Sequence, residues 1–151
     1  MSDKIIHIHD EDSEADTCRK EVLPKLYESQ WTDDLILEQR TFTDGKIIVI
    51  GRKAKRKKTK RFDYLLRYSQ NFPIAIVEAK KKYKSAGDGM QQAKDYAQIL
   101  GLKFAYSTNG ADILEFDFIT GLEKKISSYP TPQELYDRQN ATEPIKPEIR
   151  E

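Results

Sequence analysis

Two extended stretches separated by one helix place the strongest constraint on this fold. The first stretch, residues 74–80, contains a short apolar run, and the second covers residues 102–107. Between them, apolar residues recur at helical spacing from Met90 to Leu100, and Gly101 predicts the end of that helix. Because a helix that joins two strands of one sheet is a crossover, we expect these strands to be parallel and adjacent. The sequence therefore predicts an α/β domain with a mixed central sheet flanked by helices.

The remaining segments extend this unit on both sides. A helix is expected from Ser13, with an interruption at Pro24, because proline fits poorly inside a helix. A short strand at residues 47–50 follows the Asp44-Gly45 turn, and residues 62–68 and 74–80 form a hairpin. The later elements are a crossover helix capped by Asp88 with Gln91, strands at 102–107 and 113–118 around the Asn109-Gly110 turn, a short strand ending at Ile126, and a helix from Thr131-Pro132 to Gln139.

Length and composition narrow the class of protein. A chain of 151 residues suits one domain, here residues 13–139, with a loosely ordered start (1–12) and a linker-like tail (140–151). No apolar run approaches the roughly 18 residues of a membrane helix. The first residues lack a signal-peptide layout, so a cytoplasmic protein is expected. The single cysteine, Cys18, excludes an internal disulfide, and His7 and His9 lack further ligands for a zinc site.

Charge is unevenly distributed along the chain. Residues 52–61 read RKAKRKKTKR, with eight basic residues and no acidic one, whereas the other 18 basic residues are outnumbered by 25 acidic ones. Such a run is commonly a solvated loop, and it fits a phosphate-contacting loop equally well. It lacks the glycine that a nucleotide-binding P-loop needs before its lysine. The candidate phosphate contacts are Arg52, Lys53, Lys55, Arg56, Lys57, Lys58, Lys60 and Arg61.

Two carboxylates are predicted to meet at one end of the hairpin. Alternation places Glu78 and Lys80 on the same strand face, and a turn centred between Gln70 and Asn71 sets Asp63 opposite Glu78. Adjacent carboxylates repel unless a cation lies between them, and Mg²⁺ prefers such hard oxygen ligands. Lys80 could then orient a water molecule or offset charge on phosphorus. An ordinary strand-end ion pair of Lys80 with either carboxylate fits the same spacing.

Neighbouring residues favour the metal-site interpretation. Gln92 and Tyr96 lie one turn apart on the crossover helix and therefore share a face. Glu21 lies on the flank of the first helix, where it could reach the sheet or face solvent. The basic run leads directly into Asp63, as a polyanionic substrate would require. Each feature has an ordinary structural explanation, and the argument for a site is their convergence.

The same residues carry a resemblance to a known family. Asp63, the tripeptide Glu78-Ala79-Lys80 and the segment from Gln92 to Tyr96 resemble the PD-(D/E)xK nuclease pattern with its following QxxxY motif. The longer stretch from Ser13, SEADTCRKEVLPKLYESQWTDDLILEQRTFTDGK followed by RFDYLLRYSQNFPIAIVEAKK, resembles the amino-terminal domain of the type I restriction endonuclease R subunit. The resemblance covers about residues 13–126, and it departs from the pattern where Phe62 replaces the proline.

The resemblance implies a restriction-endonuclease-like core and Mg²⁺-dependent hydrolysis of DNA phosphodiester bonds. The site residues that it implies are Asp63 and Glu78 as metal ligands, the Ala79 carbonyl as a candidate third ligand, Glu21 as a less secure one, Lys80 as the catalytic lysine, and Gln92 and Tyr96 as residues that position DNA or support the site.

In that family an ATP-driven DNA translocase follows the nuclease domain, and modification and specificity subunits complete the enzyme. The resemblance therefore predicts an R-subunit fragment whose tail leads toward an absent motor, with ATP required only by the complete enzyme. It also predicts mostly phosphate contacts to double-stranded DNA. Two other interpretations stay open: a non-catalytic DNA-binding or assembly module of the same fold, and a repair or recombination nuclease.

Overall fold

The computed structural model describes residues 18–43, 46–48, 59–80 and 84–141. Within these ranges seven strands form one sheet in the order β2-β1-β3-β4-β5-β6-β7. The strands β4 and β5 are parallel, and the other neighbouring pairs are antiparallel, so the predicted crossover and mixed sheet are confirmed. The strands are β1 (Ile36–Thr43), β2 (Lys46–Ile48), β3 (Lys60–Ser69), β4 (Phe72–Ala79), β5 (Phe104–Thr108), β6 (Ile113–Asp117) and β7 (Leu122–Ile126).

Helices cover both faces of this sheet. A π-helical turn (Cys18–Val22) continues into α1 (Leu23–Glu28), α2 (Met90–Leu100) connects β4 to β5, and α3 (Pro132–Ala141) follows β7. The change from π to α geometry falls beside Pro24. Pro24 lies in the first turn of α1, where proline is tolerated. None of the helices in these ranges is both long and apolar enough to span a bilayer.

Glycine and capping residues set the helix ends. Gly101 ends α2 with a φ of 75°, a left-handed conformation that glycine adopts without steric cost. The predicted cap of α2 by Asp88 with Gln91 is wrong, because Asp88 lies inside a 3₁₀ turn (Ala86–Gly89) and α2 begins at Met90. No side chain caps α2, since its N-cap residue is Gly89.

A reciprocal capping box lies instead at α3. The Glu134 N–H donates to Thr131 Oγ1 (3.1 Å), and the Thr131 N–H donates to Glu134 Oε1 (2.8 Å). The predicted helix start at Thr131-Pro132 is therefore confirmed, although α3 continues to Ala141 rather than ending at Gln139.

Neither a helix nor a strand is predicted for the residues of β1, where apolar and polar residues are mixed. This strand alternates poorly in polarity, but it pairs with β3 along most of its length. The short strand predicted at 47–50 is β2, which begins one residue earlier, at Lys46. Some predictions concern residues outside the described ranges: the helix start at Ser13, the Asp44-Gly45 turn, and His7 and His9. The side chain of Cys18 is also not described.

Each face of the sheet has its own apolar core. On one face Leu26 of α1, Trp31 and Leu135 of α3 pack with residues such as Val77 and Tyr106. On the other face the buried side of α2 packs against Phe42, Phe62 and Ile76. Alternation along β4 predicts Ile74 and Ile76 on one face and Val77 on the other. This is confirmed for Ile76 and Val77 but wrong for Ile74, which lies on the α1 and α3 face because the register shifts between Leu66 and Arg67.

A buried ionic cluster attaches α3 to the sheet. Arg138 donates two hydrogen bonds to Glu115 (3.0 and 3.1 Å) and one to Asp117 (2.8 Å). Tyr106 Oη also donates to Glu115 (2.7 Å), and its pKa is raised well above its ordinary value, first by burial and then by the Glu115 charge. Burial lowers the pKa of Arg138, but its bonds to the two carboxylates raise it overall.

Removing the arginine should therefore destabilise the domain. We expect Arg138→Met to lower the free energy of unfolding by about 3 kcal/mol, because Glu115 would stay buried without its cation. Lys125→Met is the matched control, since the Lys125–Asp112 pair (3.4 Å) is exposed and worth about 0–1 kcal/mol. Urea unfolding monitored by circular dichroism measures both. Equal losses in the two variants would contradict this account of α3.

Candidate active site

The register of β3 on β4 brings the two predicted carboxylates together. Tyr64 pairs with Val77, and one step further along the same register places Asp63 opposite Glu78. This is the pairing that the position of the hairpin turn predicts. Because directly opposed residues of an antiparallel pair have Cβ atoms about 5 Å apart, both carboxylates occupy one end of the hairpin.

Each of the four carboxylate oxygens accepts a hydrogen bond. The Ala79 N–H donates to Asp63 Oδ2 (2.8 Å), and the Asp63 N–H donates to Glu78 Oε2 (3.1 Å). The side-chain amide of Gln92 on α2 donates to Glu78 Oε1 (2.8 Å). The amide of Gln39 on β1 lies 3.4 Å from Asp63 Oδ1. Donors from three strands and one helix therefore orient the pair.

Burial makes this pair electrostatically costly. Glu78 is 2% exposed, and burial followed by repulsion from Asp63 raises its pKa from 4.5 to about 8. The hydrogen bonds from the Asp63 N–H and Gln92 and the nearby charge of Lys80 lower the pKa of Glu78, but they do not cancel the rise. Burial and the neighbouring carboxylate therefore favour the protonated form of Glu78, and a cation bound beside it would favour the charged form.

Lys80 lies at the end of β4, on the edge where the carboxylates lie. Its backbone N–H donates to the Thr108 carbonyl (2.8 Å), which continues the parallel pairing by one residue. Its side-chain stem passes over Gly89 at the start of α2. A Cβ built on Gly89 would lie 3.2 Å from Lys80 Cε and 3.1 Å from Ser107 Oγ. Gly89 therefore leaves the space through which the lysine stem runs.

Gln92 and Tyr96 occupy the same side of α2, as predicted. Tyr96 packs edge-on against Phe42 (ring centroids 5.0 Å apart), and Phe42 stacks on Phe62 (5.8 Å). The pKa of Tyr96 is raised, first by burial and then by the charges of Glu78 and Asp63. The charges of the two carboxylates thus affect Tyr96, while Gln92 donates a hydrogen bond to one of them directly.

The other predicted site residues are less fully placed. Glu21 is half-buried in the π-helical turn, and in the described ranges no group of three or more His, Cys, Asp or Glu residues forms a metal cluster. The roles of Glu21 and of the Ala79 carbonyl as metal ligands stay predictions. Lys60 and Arg61 are exposed at the start of β3, and the rest of the basic run lies outside the described residues.

Two hollows that described residues line lie elsewhere, next to Arg138. Their volumes are about 430 and 370 Å³, and their lining does not include Asp63, Glu78 or Lys80.

Sequence reasoning missed Gln39. Its contact with Asp63 depends on β1 pairing with β3, and the polarity pattern of β1 gave no strand signal. No local motif around Gln39 could have identified it, because the relationship is set by the tertiary structure.

Comparison with known proteins finds relatives among type I restriction enzymes. No family model matches the chain. Over 133 residues it is 34% identical to the type I restriction enzyme EcoAI endonuclease subunit of Escherichia coli, a match covering 83% of this chain and 16% of that protein. Its homologues are endonuclease subunits of type I restriction enzymes. This confirms the resemblance inferred from the sequence.

A solved structure supports the same assignment. A fragment of a protein assigned as the HsdR subunit of a type I restriction enzyme from Vibrio vulnificus YJ016 superposes with a TM-score of 0.75 at 54% identity. The match covers 88% of this chain and 26% of that one. The predicted α/β fold is thereby confirmed. The chain spans about a sixth of the length of the E. coli subunit and about a quarter of the V. vulnificus fragment.

The raised pKa of Glu78 predicts an unusual dependence of stability on pH. Between about pH 4.5 and 8 the folded state binds more protons than the unfolded state, so the free energy of unfolding should fall as pH rises. Glu78→Gln cannot ionise and should lack this loss. Between pH 5 and pH 8 the free energy of unfolding of Glu78→Gln should therefore rise by on the order of 2 kcal/mol relative to that of wild type. This corresponds to a few degrees in Tm.

Thermal unfolding at the two pH values tests this prediction. The exposed Glu123→Gln on β7 is the control and should follow wild type at both pH values. Parallel behaviour of Glu78→Gln and wild type would mean that Glu78 is ionised in the folded protein and that the repulsion is absent.

The contact between Gly89 and Lys80 predicts a selective steric effect. Gly89→Ala should destabilise the domain by about 1–3 kcal/mol through overpacking, and Lys80→Ala in the same chain should relieve part of that loss. Gly87→Ala is the matched control in the same 3₁₀ turn, because its new Cβ would meet Leu114 at 3.2 Å instead. Urea unfolding of the single and double variants decides. Equal relief of both glycine variants by Lys80→Ala would contradict the contact.

Proposed function

We propose that this chain is the nuclease domain of a type I restriction endonuclease R subunit and hydrolyses DNA phosphodiester bonds with Mg²⁺. The observation that supports this most is the pairing of Asp63 with the buried Glu78, with Lys80 at the same end of the hairpin. The relatives named above are restriction endonuclease subunits, which supports a nuclease role. The metal and the residue roles are the further steps of the proposal.

The donor set fits a divalent magnesium ion. Mg²⁺ usually binds through one or two carboxylates and keeps water or phosphate oxygens as its other ligands, so a third acidic residue is not required. The pKa of Glu78 is raised first by burial and then by repulsion from Asp63, and a bound cation would relieve that repulsion. Asp63 and Glu78 would hold the ion, with the Ala79 carbonyl and Glu21 as further candidates. When bound, the ion would polarise the phosphodiester and lower the pKa of a water ligand.

The protein groups would perform the remaining tasks. The Ala79 N–H and Gln92 fix the two carboxylates in orientation, so that little reorganisation is needed when the substrate arrives. Lys80 is half-exposed on the same edge, from which its ammonium group would donate hydrogen bonds to an attacking water or to phosphate oxygens. Tyr96 would support the DNA-facing side of α2, next to Gln92.

DNA binding would rest mainly on phosphate contacts. Lys60 and Arg61 are exposed at the start of β3, three and two positions before Asp63. Together with the other basic residues of 52–61 they would supply counter-charge for a double-stranded backbone without reading bases. In the proposed complete enzyme, which is cytoplasmic, a motor domain would consume ATP, and modification and specificity subunits would select the site.

Calorimetric titration of Mn²⁺ into the whole chain tests the metal site without requiring cleavage. We expect one saturable site in wild type that is lost in Asp63→Asn, and an affinity that rises between pH 6 and pH 8, because Mn²⁺ competes with the proton on Glu78. Lys80→Ala is the control at the same edge and should retain binding. Equal heats in wild type and Asp63→Asn would argue for a non-catalytic module or a simple strand-end ion pair.

Where metal binds, DNA substrates distinguish the remaining alternative. A restriction nuclease domain should nick circular duplex DNA with added Mn²⁺ or Mg²⁺, since it needs no free end. A repair or recombination nuclease should degrade linear or branched DNA and leave closed circles intact.

A further inference from the structure

We propose that Gln39 is the positioning residue for the Asp63 carboxylate, as Gln92 is for that of Glu78. This inference rests on the proposed function, since it concerns the same metal site. It adds a residue from a third strand to that site, and it explains an otherwise unaccounted backbone conformation in the middle of β1.

The backbone of Gln39 is left-handed, with a φ of 51°. A non-glycine residue rarely adopts this conformation, and such residues concentrate at functional sites. The other left-handed non-glycine residue in the described ranges is Gln30 (φ 74°), which follows α1 and donates its N–H to the Tyr27 carbonyl. The end of a helix accounts for Gln30, whereas Gln39 lies inside a strand.

The strand pairing continues on both sides of Gln39. Glu38 pairs with Tyr64 and Arg40 pairs with Phe62, so no residue is inserted or skipped. Gln39 therefore lies opposite Asp63, and the left-handed turn changes the direction of its side chain without shifting the register.

Both strands reverse their alternation at this point. Leu37 and Phe42 contribute to the same core beneath α2, although residues five apart in a regular strand point to opposite faces. Phe62 and Leu65, three apart on β3, also share that core. The two reversals flank the opposed Gln39 and Asp63, so the distortion is shared by the paired strands.

The side chain supplies the second half of the argument. The Gln39 amide lies 3.4 Å from Asp63 Oδ1, while the Ala79 N–H holds Oδ2. Glu78 has the same arrangement, with one backbone donor and one glutamine amide. Each carboxylate is thus oriented by one main-chain and one glutamine donor. Removing such a partner of a ligand typically weakens metal binding about 10-fold to 100-fold.

Gln39→Met is the first test, because methionine keeps the length of the side chain and lacks the amide. Titration of Mn²⁺ into the 151-residue chain should show an affinity about 10-fold to 100-fold below wild type. The matched control is Gln91→Met, which removes an exposed amide bonded to Asp95 (2.8 Å) outside the site and should bind as wild type. Wild-type affinity in Gln39→Met would overturn the proposal.

A second variant separates the amide from the backbone. Gln39→Gly removes the side chain and adopts the left-handed conformation freely. It should lose the same affinity while its Tm stays near or above that of wild type, as should the Tm of Gln30→Gly, whose metal affinity should not change. Retained affinity in Gln39→Gly would show that the amide has no positioning role.

A metal-free measurement keeps this inference distinct from the proposed function. In a double-mutant cycle of Gln39→Met with Asp63→Ala, the effects on unfolding free energy should be non-additive, because the two side chains interact. Additive effects would overturn the role of Gln39 whatever the metal data show. If wild type binds no Mn²⁺ while the cycle shows coupling, the metal site fails and Gln39 remains the partner of Asp63.

Discussion

The pairing of β3 with β4 determines the geometry of the candidate active site. These strands are neighbours in the chain and lie near the middle of the sheet, with apolar cores on both faces. A slip of one residue would move every buried side chain to the wrong face, so the register is strongly specified. The same register places Asp63 opposite Glu78 and lets each accept a main-chain N–H from the other strand. Core packing therefore fixes the position of two carboxylates that would otherwise repel each other apart.

Much of this arrangement is encoded locally and was accessible from sequence. The hairpin turn, the crossover helix ending at Gly101 and the abrupt transition from an apolar run into Glu78 are short-range signals, and each predicted the correct element. The opposition of Asp63 and Glu78 followed from the turn position alone. The family followed from the motif and the longer stretch around it, and the relatives confirm it.

What the sequence could not provide are the features that depend on tertiary pairing. The side chains of β1 do not alternate regularly between the two faces of the sheet, because the alternation reverses at Gln39. The polarity pattern of β1 therefore gave no strand signal. Asp88 and Gln91 have the right spacing for a capping box, but the 3₁₀ turn that passes under Lys80 delays the helix to Met90. In both cases the local rule failed where the chain is shaped around the candidate site, which is where such failures are expected.

The domain contains two buried groups of carboxylates, and it treats them differently. Glu115 and Asp117 accept hydrogen bonds from the guanidinium group of Arg138. These bonds attach α3 to the sheet. The donors described for Asp63 and Glu78 include two neutral glutamine amides, and the charge of Lys80 lowers the pKa of Glu78 without cancelling its rise to about 8. A fixed arginine would have stabilised the second pair as it does the first. Neutral amides orient carboxylates without supplying positive charge, so under the proposed function a divalent cation would supply that charge, and the metal-free domain would bear some cost in folding stability.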